Sequence, residues 1–365
     1  MPRDQFPALQ KSTYLNTAGG APIPLAAHAA AVQYYQESLE DGDVYWNTWL
    51  ERTDNARREV GELVGASARH VAFLGNASAG LNLVADLDEP GVFASADSEF
   101  PSCTLPWLRR GFKHARWRTR EDGAFDVDDI ARVAGNATVL VVSWVQFASG
   151  FRADLAAISD FCASRGIRLV VDGTQAVGAF PLDATELGID ALVFSGYKWL
   201  TAGYGVAGLV MPKGLPELGS PHAGWRSQVD PFDLRSDVVA PGLDGAHAEA
   251  GHPPFPAVFS LGASAALWNG QGTRATSQRI LSLVGHLNQG LERIGVPVLS
   301  PSDPRLQSGI VLLDVKDPAD VARQLSKRGI VTSARRAGLR VSVHAYNTAD
   351  ELDLLVGELA GILGR

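Results

Sequence analysis

The 365-residue sequence predicts an α/β protein in which a mostly parallel seven-stranded sheet between helices forms a large domain, with a smaller α/β domain at the C-terminal end. Three observations predict this. Short β-rich runs alternate with helical patterns from about residue 55 to 215. Several of those runs are continuously apolar, as strands buried on both faces are. A second, shorter α/β pattern closes the chain after an irregular stretch.

The strand candidates of the large domain are Val71–Leu74, Val92–Ala94, Ala115–Arg118, Val139–Val142, Leu169–Val171, Ala191–Phe194 and Gly208–Met211. Helical patterns fill the gaps, as in Leu155–Arg165 behind Arg152-Ala153-Asp154. Residues 215–255 are rich in Pro, Gly, His and Asp and lack periodicity; such a stretch inside a compact protein is usually functional rather than a linker. A long helical pattern follows over about 257–293. Then Ile310–Val315 reads as a strand, Ala319–Lys327 as a helix, Ile330–Ser333 and Leu339–Val343 as strands, and Ala349–Leu363 as a closing helix. The expected division is residues 14–250 for the large domain and 251–365, joined by 1–13, for the small one.

The net charge of −8, from 32 basic and 40 acidic side chains, argues against a nucleic-acid partner, which needs a basic stripe. No apolar run reaches the length that spans a bilayer, and Met1-Pro2-Arg3-Asp4-Gln5 lacks a signal-peptide core. The two cysteines, Cys103 and Cys162, form neither a metal-ligand spacing nor a disulfide framework. The expectation is a cytoplasmic protein with no metal and no membrane contact.

Three islands at or just after strand ends carry chemistry, because ligands of open α/β sheets bind beyond the carboxyl ends of strands. In Val170-Val171-Asp172-Gly173-Thr174-Gln175, an Asp follows a buried strand. It reads either as a helix cap or as a carboxylate that keeps the pyridine nitrogen of pyridoxal 5′-phosphate protonated, so that the ring accepts electrons from Cα. In Phe194-Ser195-Gly196-Tyr197-Lys198-Trp199-Leu200, a Lys follows an apolar strand among aromatic residues. Desolvation there lowers a lysine pKa and suits it to forming a Schiff base, whereas a snorkelling surface Lys fits the flanking Tyr, Trp and glycines less well. Ser195 and Tyr197 are potential phosphate donors. In Gly75-Asn76-Ala77-Ser78-Ala79-Gly80, small residues open a helix, leaving free N–H groups for a phosphate or serving as an ordinary cap. The stretch is neither a Walker loop nor a dinucleotide fingerprint.

Phosphate cradle, ring-nitrogen carboxylate and lysine, in this order, make the chain resemble the class V aminotransferase family of fold type I pyridoxal-phosphate enzymes. That family includes cysteine desulfurases, selenocysteine lyases, kynureninases and isopenicillin N epimerase-like proteins. The resemblance runs from Tyr14-Leu15-Asn16-Thr17-Ala18-Gly19 to Leu339-Arg340-Val341-Ser342-Val343-His344-Ala345-Tyr346-Asn347-Thr348. It implies Lys198 as the Schiff-base lysine and α-proton carrier, with Asp172 on the pyridine nitrogen and Gln175 on the phenolic oxygen or imine. It implies Ala77, Ser78, Ser195 and Tyr197 around the phosphate. Phe100 falls where the family stacks a ring or His on the cofactor, although plain core packing competes for that residue. Gln146 lies near the family's Asn at the phenolic oxygen. Arg340 matches the substrate-carboxylate arginine, whose fork grips a carboxylate bidentately, and Asn16 resembles part of the loop that closes over substrate. Gly251-His252-Pro253-Pro254 looks like a stretch that reaches the neighbouring subunit's phosphate, with His252 in place of the usual Thr; this implies a homodimer with shared active sites.

The family's desulfurases carry a nucleophilic Cys shortly before the carboxylate arginine. The interval from Lys327 to Arg340 has none. Val171-Asp172-Gly173 also departs from the Trp-Asp-Leu of kynureninases. The reading is a pyridoxal-phosphate enzyme acting at Cα of a small L-amino acid, with transamination slightly favoured. A C–S, C–Se or C–C lyase and an epimerase are the alternatives within the family, and a non-catalytic cofactor-binding regulatory protein is the alternative outside enzymology. Among Arg226, Arg335 and Arg336, any one reads first as a solvated loop charge and second as a contact for another acidic group of the substrate.

Overall fold

A computed structural model describes residues 3–365. In chain order its principal elements are β1 (Thr13–Tyr14), α1 (Leu25–Asp41), α2 (Trp46–Val64), β2 (Val71–Leu74), α3 (Ala77–Asp86), β3 (Val92–Ala96), α4 (Leu105–Arg109), β4 (Lys113–Trp117), α5 (Val127–Ala131), β5 (Val139–Ser143) and α6 (Leu155–Arg165). They continue with β6 (Arg168–Asp172), β7 (Ala191–Ser195), β8 (Ala207–Val210), α7 (Phe255–Gln271), α8 (Thr273–Arg293), β9 (Ile310–Leu313), α9 (Pro318–Lys327), β10 (Ile330–Val331), β11 (Ser333–Arg335), β12 (Gly338–Ser342) and α10 (Ala349–Leu363).

Seven strands form the large sheet in the order β2-β8-β7-β6-β5-β3-β4. Only β8 runs antiparallel to its neighbours. β5, β7 and β8 are buried at every position, which is why their sequences are unbroken apolar or small-residue runs. Gly208 keeps β8 free of a side chain where a Cβ would run into the Phe194 ring of β7. The parallel register places Ser143 beside Asp172, and Leu74, Ala207 and Ser195 lie in one row. The carboxyl ends of β2, β3, β5, β6 and β7 therefore share one edge of the sheet.

The C-terminal sheet is antiparallel, in the order β11-β12-β9. The start of the chain joins this unit: Thr13 and Tyr14 pair with Ile330 and Val331, and Asn16 bridges to Ser342. Two expectations need correction. The helical pattern of 257–293 breaks at Gly272, where φ is +76°. This gives α7, which packs on α1 and α2, and α8, which packs on α10. The run Ile330–Ser333 is also not one strand; it divides at Thr332 into β10, which takes β1, and β11, which takes β12.

The irregular segment of 215–255 holds only two single-turn helices, Trp225–Ser227 and Gly245–Ala248. Buried Glu249 ties it to the sheet by accepting from the Phe73 amide (2.7 Å) and from Arg57 (2.8 Å). Among the described residues, no helix is long and apolar enough to cross a membrane, and no group of three or more His, Cys, Asp or Glu is arranged to hold a metal.

Candidate active site

Five strand ends converge on a cavity of about 210 Å³. Its lining includes Ala77, Ser78, Phe100, Asp172, Gln175, Ser195, Tyr197 and Lys198, together with Asn76, Ser102, Ser143, Val145, Phe147 and Thr174. Each is there for a local reason. Asn76 caps α3 by accepting from the Ala79 amide at 2.9 Å, which leaves the amides of Ala77 and Ser78 at the first turn without intrahelical partners. Ser78 and Ser102 share a hydroxyl hydrogen bond of 2.7 Å.

Lys198 follows β7 on a loop with little freedom. Thr201 donates its amide to the Lys198 carbonyl (2.9 Å), and Ala202 donates to that of Gly196 (2.9 Å). Thr201 takes a left-handed φ of +57°, uncommon for a β-branched residue. Its hydroxyl is held by Ser264 (2.9 Å) and the Trp268 indole (3.2 Å). Burial lowers the Lys198 pKa to about 8, against the opposing pull of Asp172, and the charges of Arg340 and Arg335 lower it further. Near neutral pH a share of this amine is uncharged and nucleophilic.

Asp172 is buried at the end of β6. One oxygen accepts from the Thr174 amide (2.8 Å) and the other from the Cys103 thiol (3.4 Å). Burial, with the negative charges of Asp172 and Glu99, holds the Cys103 thiol well above its ordinary range. Behind Asp172 lies Glu99, whose carboxyl turns inward. It accepts from the Ser143 amide (3.0 Å), the Ser143 hydroxyl (2.5 Å) and the Gln146 amide nitrogen (3.0 Å). Enclosure of this carboxyl raises its pKa to about 7, against those hydrogen bonds and with Asp172 adding to the rise.

Gln175 is fixed at both ends of its amide. The Trp199 indole donates to its oxygen (2.9 Å), and its nitrogen donates to the Ala18 carbonyl (3.1 Å), leaving one N–H free. Tyr197 stacks on Tyr204 with centroids 4.2 Å apart. Phe100 is 41% exposed, lines the cavity and lies nearly perpendicular to the Phe147 ring with centroids 5.3 Å apart, so it is not core.

Arg340 is almost fully buried on β12. Its Nη1 donates to the carbonyl of Phe147, a cavity residue, at 2.7 Å, while Nε and Nη2 have no partner. Burial pulls its pKa down to about 9, and Arg335 adds to the fall. Asn16, held beside Ser342 by its backbone, has a buried side-chain oxygen without a partner.

Besides Asn16 and Arg340, two expected residues are absent from the cavity lining. Gln146 aims its amide at Glu99 and does not line the cavity. His252 is exposed and sits between Trp46 and Trp225, with centroids 4.9 and 4.8 Å away. A larger groove of about 860 Å³, running past Trp144, Phe151 and Arg305, contains none of the expected site residues. Sequence reasoning missed Glu99, Ser143 and Thr174 and gave Cys103 no role. For Glu99, the available signal was an acid next to an aromatic residue just past a strand.

The residues suit a flat, phosphorylated pyridine aldehyde. Helix amides free to bind a phosphate, a buried carboxylate, a low-pKa amine and an exposed ring all line this one space.

Residues 13–355 match the family model for aminotransferase class-V. Relatives include "Uncharacterized aminotransferase YcbU" of Bacillus subtilis, 27% identical over 98% of this chain and 96% of that protein. Another is isopenicillin N epimerase of Streptomyces clavuligerus, 27% identical over 96% and 95%. A solved cysteine desulfurase from Thermococcus onnurineus has the same fold, with a TM-score of 0.89 at 22% identity over 99% of this chain and 97% of that one. So does the cystine C–S lyase C-DES in complex with cysteine persulfide, at 0.87 and 23% over 98% and 99%. With the family model spanning nearly the whole sequence and the lysine, aspartate and helix amides gathered at one sheet edge, the chain belongs to the aminotransferase class-V family of pyridoxal-phosphate enzymes.

Proposed function

We propose that this enzyme removes the α-proton of an L-amino acid and completes a transamination. The observation that carries this reading is the unpartnered Nε/Nη2 edge of Arg340, buried beside a cavity that contains both Lys198 and Asp172. Bound pyridoxal phosphate supplies an electron sink conjugated to the substrate's Cα. The chain's residues supply everything else. Ala77 and Ser78 would offer amides to the phosphate, with Ser195 and Tyr197 beside it. Asp172, kept from wandering by Thr174 and Cys103, would hold a proton on the ring nitrogen. Gln175 would offer its free N–H to the phenolic oxygen, and Phe100 would pack against the ring. Arg340 would grip the substrate carboxylate and so orient Cα. Lys198 would carry the proton from Cα as a neutral amine.

Transamination is preferred over desulfuration because neither thiol suits attack on sulfur. Cys103 is buried against Asp172, and burial pushes Cys162 up to about 12. A homodimer is part of the proposal. Leu25, Val32, Tyr35 and Leu39 form an exposed apolar stripe on α1, of the kind a second subunit covers.

The test supplies a panel of L-amino acids to the holoenzyme and follows keto acid, ammonia and α-deuterium. One equivalent of keto acid, with sustained turnover only when a second keto acid is added, supports transamination. Continuous release of ammonia and pyruvate without an acceptor assigns a lyase, and deuterium exchange without net product assigns an epimerase. A Lys198→Ala enzyme that keeps the wild-type rate would overturn the mechanism.

A further inference from the structure

The pairing of β11 with β12 has a second consequence. Ser333 lies opposite Arg340, and Arg335 lies opposite Gly338. Directly opposed residues share a face of an antiparallel pair, as do residues two apart. Ser333, Arg335, Arg340 and Ser342 therefore share one face, while Leu339 and Val341 enter the hydrophobic core on the other. The polar side chains of that face are short of partners: Ser333 Oγ, Arg335 Nε, Arg340 Nε and Nη2, and Ser342 Oγ are all buried with none.

The two arginines are used alike. Arg340 donates Nη1 to the Phe147 carbonyl, and Arg335 donates Nη1 to the Ala334 carbonyl at 3.2 Å. In Arg340 the whole Nε/Nη2 edge, the one that fits the two oxygens of a carboxylate side by side, is buried and open; in Arg335 Nε is buried and open, and Nη2 meets no protein group. Among the described residues, no carboxylate lies within 4.0 Å of either guanidinium. Arg335 is near enough for its charge to act on both Arg340 and Lys198. Two adjacent cations without an acid repel each other, and leaving the buried one, Arg340, unpaired is costly, while Arg335 is half-buried at its side. One α-carboxylate satisfies one fork only.

We infer that the second fork, Arg335 with Ser333 beside it, receives a side-chain carboxylate, so that the enzyme's substrates are dicarboxylic α-amino acids. This rests on the reading of Arg340 as the α-carboxylate site and adds a specificity-determining residue to it. Arg336, exposed at the hairpin turn, has no part.

The test measures binding of unreactive probes to the holoenzyme at fixed ionic strength, by calorimetry and by the change in cofactor absorbance. The probes are succinate and glutarate against butyrate and valerate, which replace one carboxylate by a methyl group. Expected is binding of the better dicarboxylate at least tenfold tighter than its monocarboxylate counterpart. Arg335→Gln should shrink that ratio to within about twofold, and Arg335→Lys, which keeps the charge but loses the fork, should give an intermediate value. An unchanged ratio in both variants, or a wild-type ratio near one, overturns the inference. An Arg340→Gln control separates the two readings. If butyrate binding does not depend on Arg340, the α-carboxylate assignment itself fails. If it does and the dicarboxylate preference is absent, only the role of Arg335 fails.

Discussion

Replacing Glu99 by Gln should stabilise the cofactor-free protein at alkaline pH and leave it little changed at acid pH. The carboxyl's pKa rises from 4.5 to about 7 on folding. At about 1.4 kcal/mol per pH unit, that difference corresponds to about 3 kcal/mol. The sign follows from the direction: the folded state binds this proton more tightly than the unfolded chain does. The stabilisation is complete below pH 4.5 and is lost as the pH rises through about 7. A glutamine reproduces the protonated form. Its oxygen accepts from the Ser143 amide and Gln146, as Glu99 Oε1 does, and its NH₂ donates to the Ser143 hydroxyl in place of the bond at Oε2. The assay is urea unfolding of both proteins at half-unit steps from pH 4.5 to 8.5, taking the wild-type minus variant difference so that titrating groups remote from Glu99 cancel. The difference should grow by about 3 kcal/mol in the variant's favour across that range. A difference that stays flat, or one that favours the wild type at pH 8, would refute the picture of a carboxyl held from water.

Three further outcomes follow from the geometry. The rate at which the cofactor-free protein captures pyridoxal phosphate should climb with pH with a midpoint near 8, where half of Lys198 has lost its proton, rather than near its ordinary 10.5; stopped-flow absorbance reads this directly. Arg340→Lys keeps a positive charge but cannot close a fork on a carboxylate, so steady-state kinetics should show KM for the amino acid rising roughly 10–100-fold, the equivalent of one lost charge-assisted hydrogen bond. Glutamates at both Tyr35 and Leu39 should shift the protein toward monomers in light scattering, since they place charge in the exposed stripe of α1.

The central strands were legible because they are buried on both faces, and such burial writes a continuous apolar run: Val139–Val142 and Ala191–Phe194 each fall one residue short of β5 and β7. The closing helix starts where it was read because Thr348 and Glu351 form a capping box. The edge strand β4 was read two residues late, since Lys113, His114 and Arg116 retain exposure and blur the pattern. The reversed direction of β8 leaves no mark in composition, because an apolar strand reads the same whichever way it runs. Asp172 and Lys198 stood out because each follows a strand end in its own sequence island. Glu99 did not, since what makes it unusual is enclosure by Ser143 and Gln146, more than forty positions away. The face shared by Arg335 and Arg340 likewise depends on a register that emerges only once β11 folds back on β12.

The pairing of β1 with β10 also imposes an order of assembly on the chain as it is made. Thr13 and Tyr14 leave the ribosome about 320 residues before their partners Ile330 and Val331, an interval of roughly 16–60 s at usual rates of synthesis. Throughout it, the segment whose Ala18 carbonyl later holds the Gln175 amide has no strand to join. The brace that Ala18 gives to Gln175 is therefore set late, however early the sheet that carries Lys198 takes shape, and a chain cut short before residue 330 lacks the strand that anchors it.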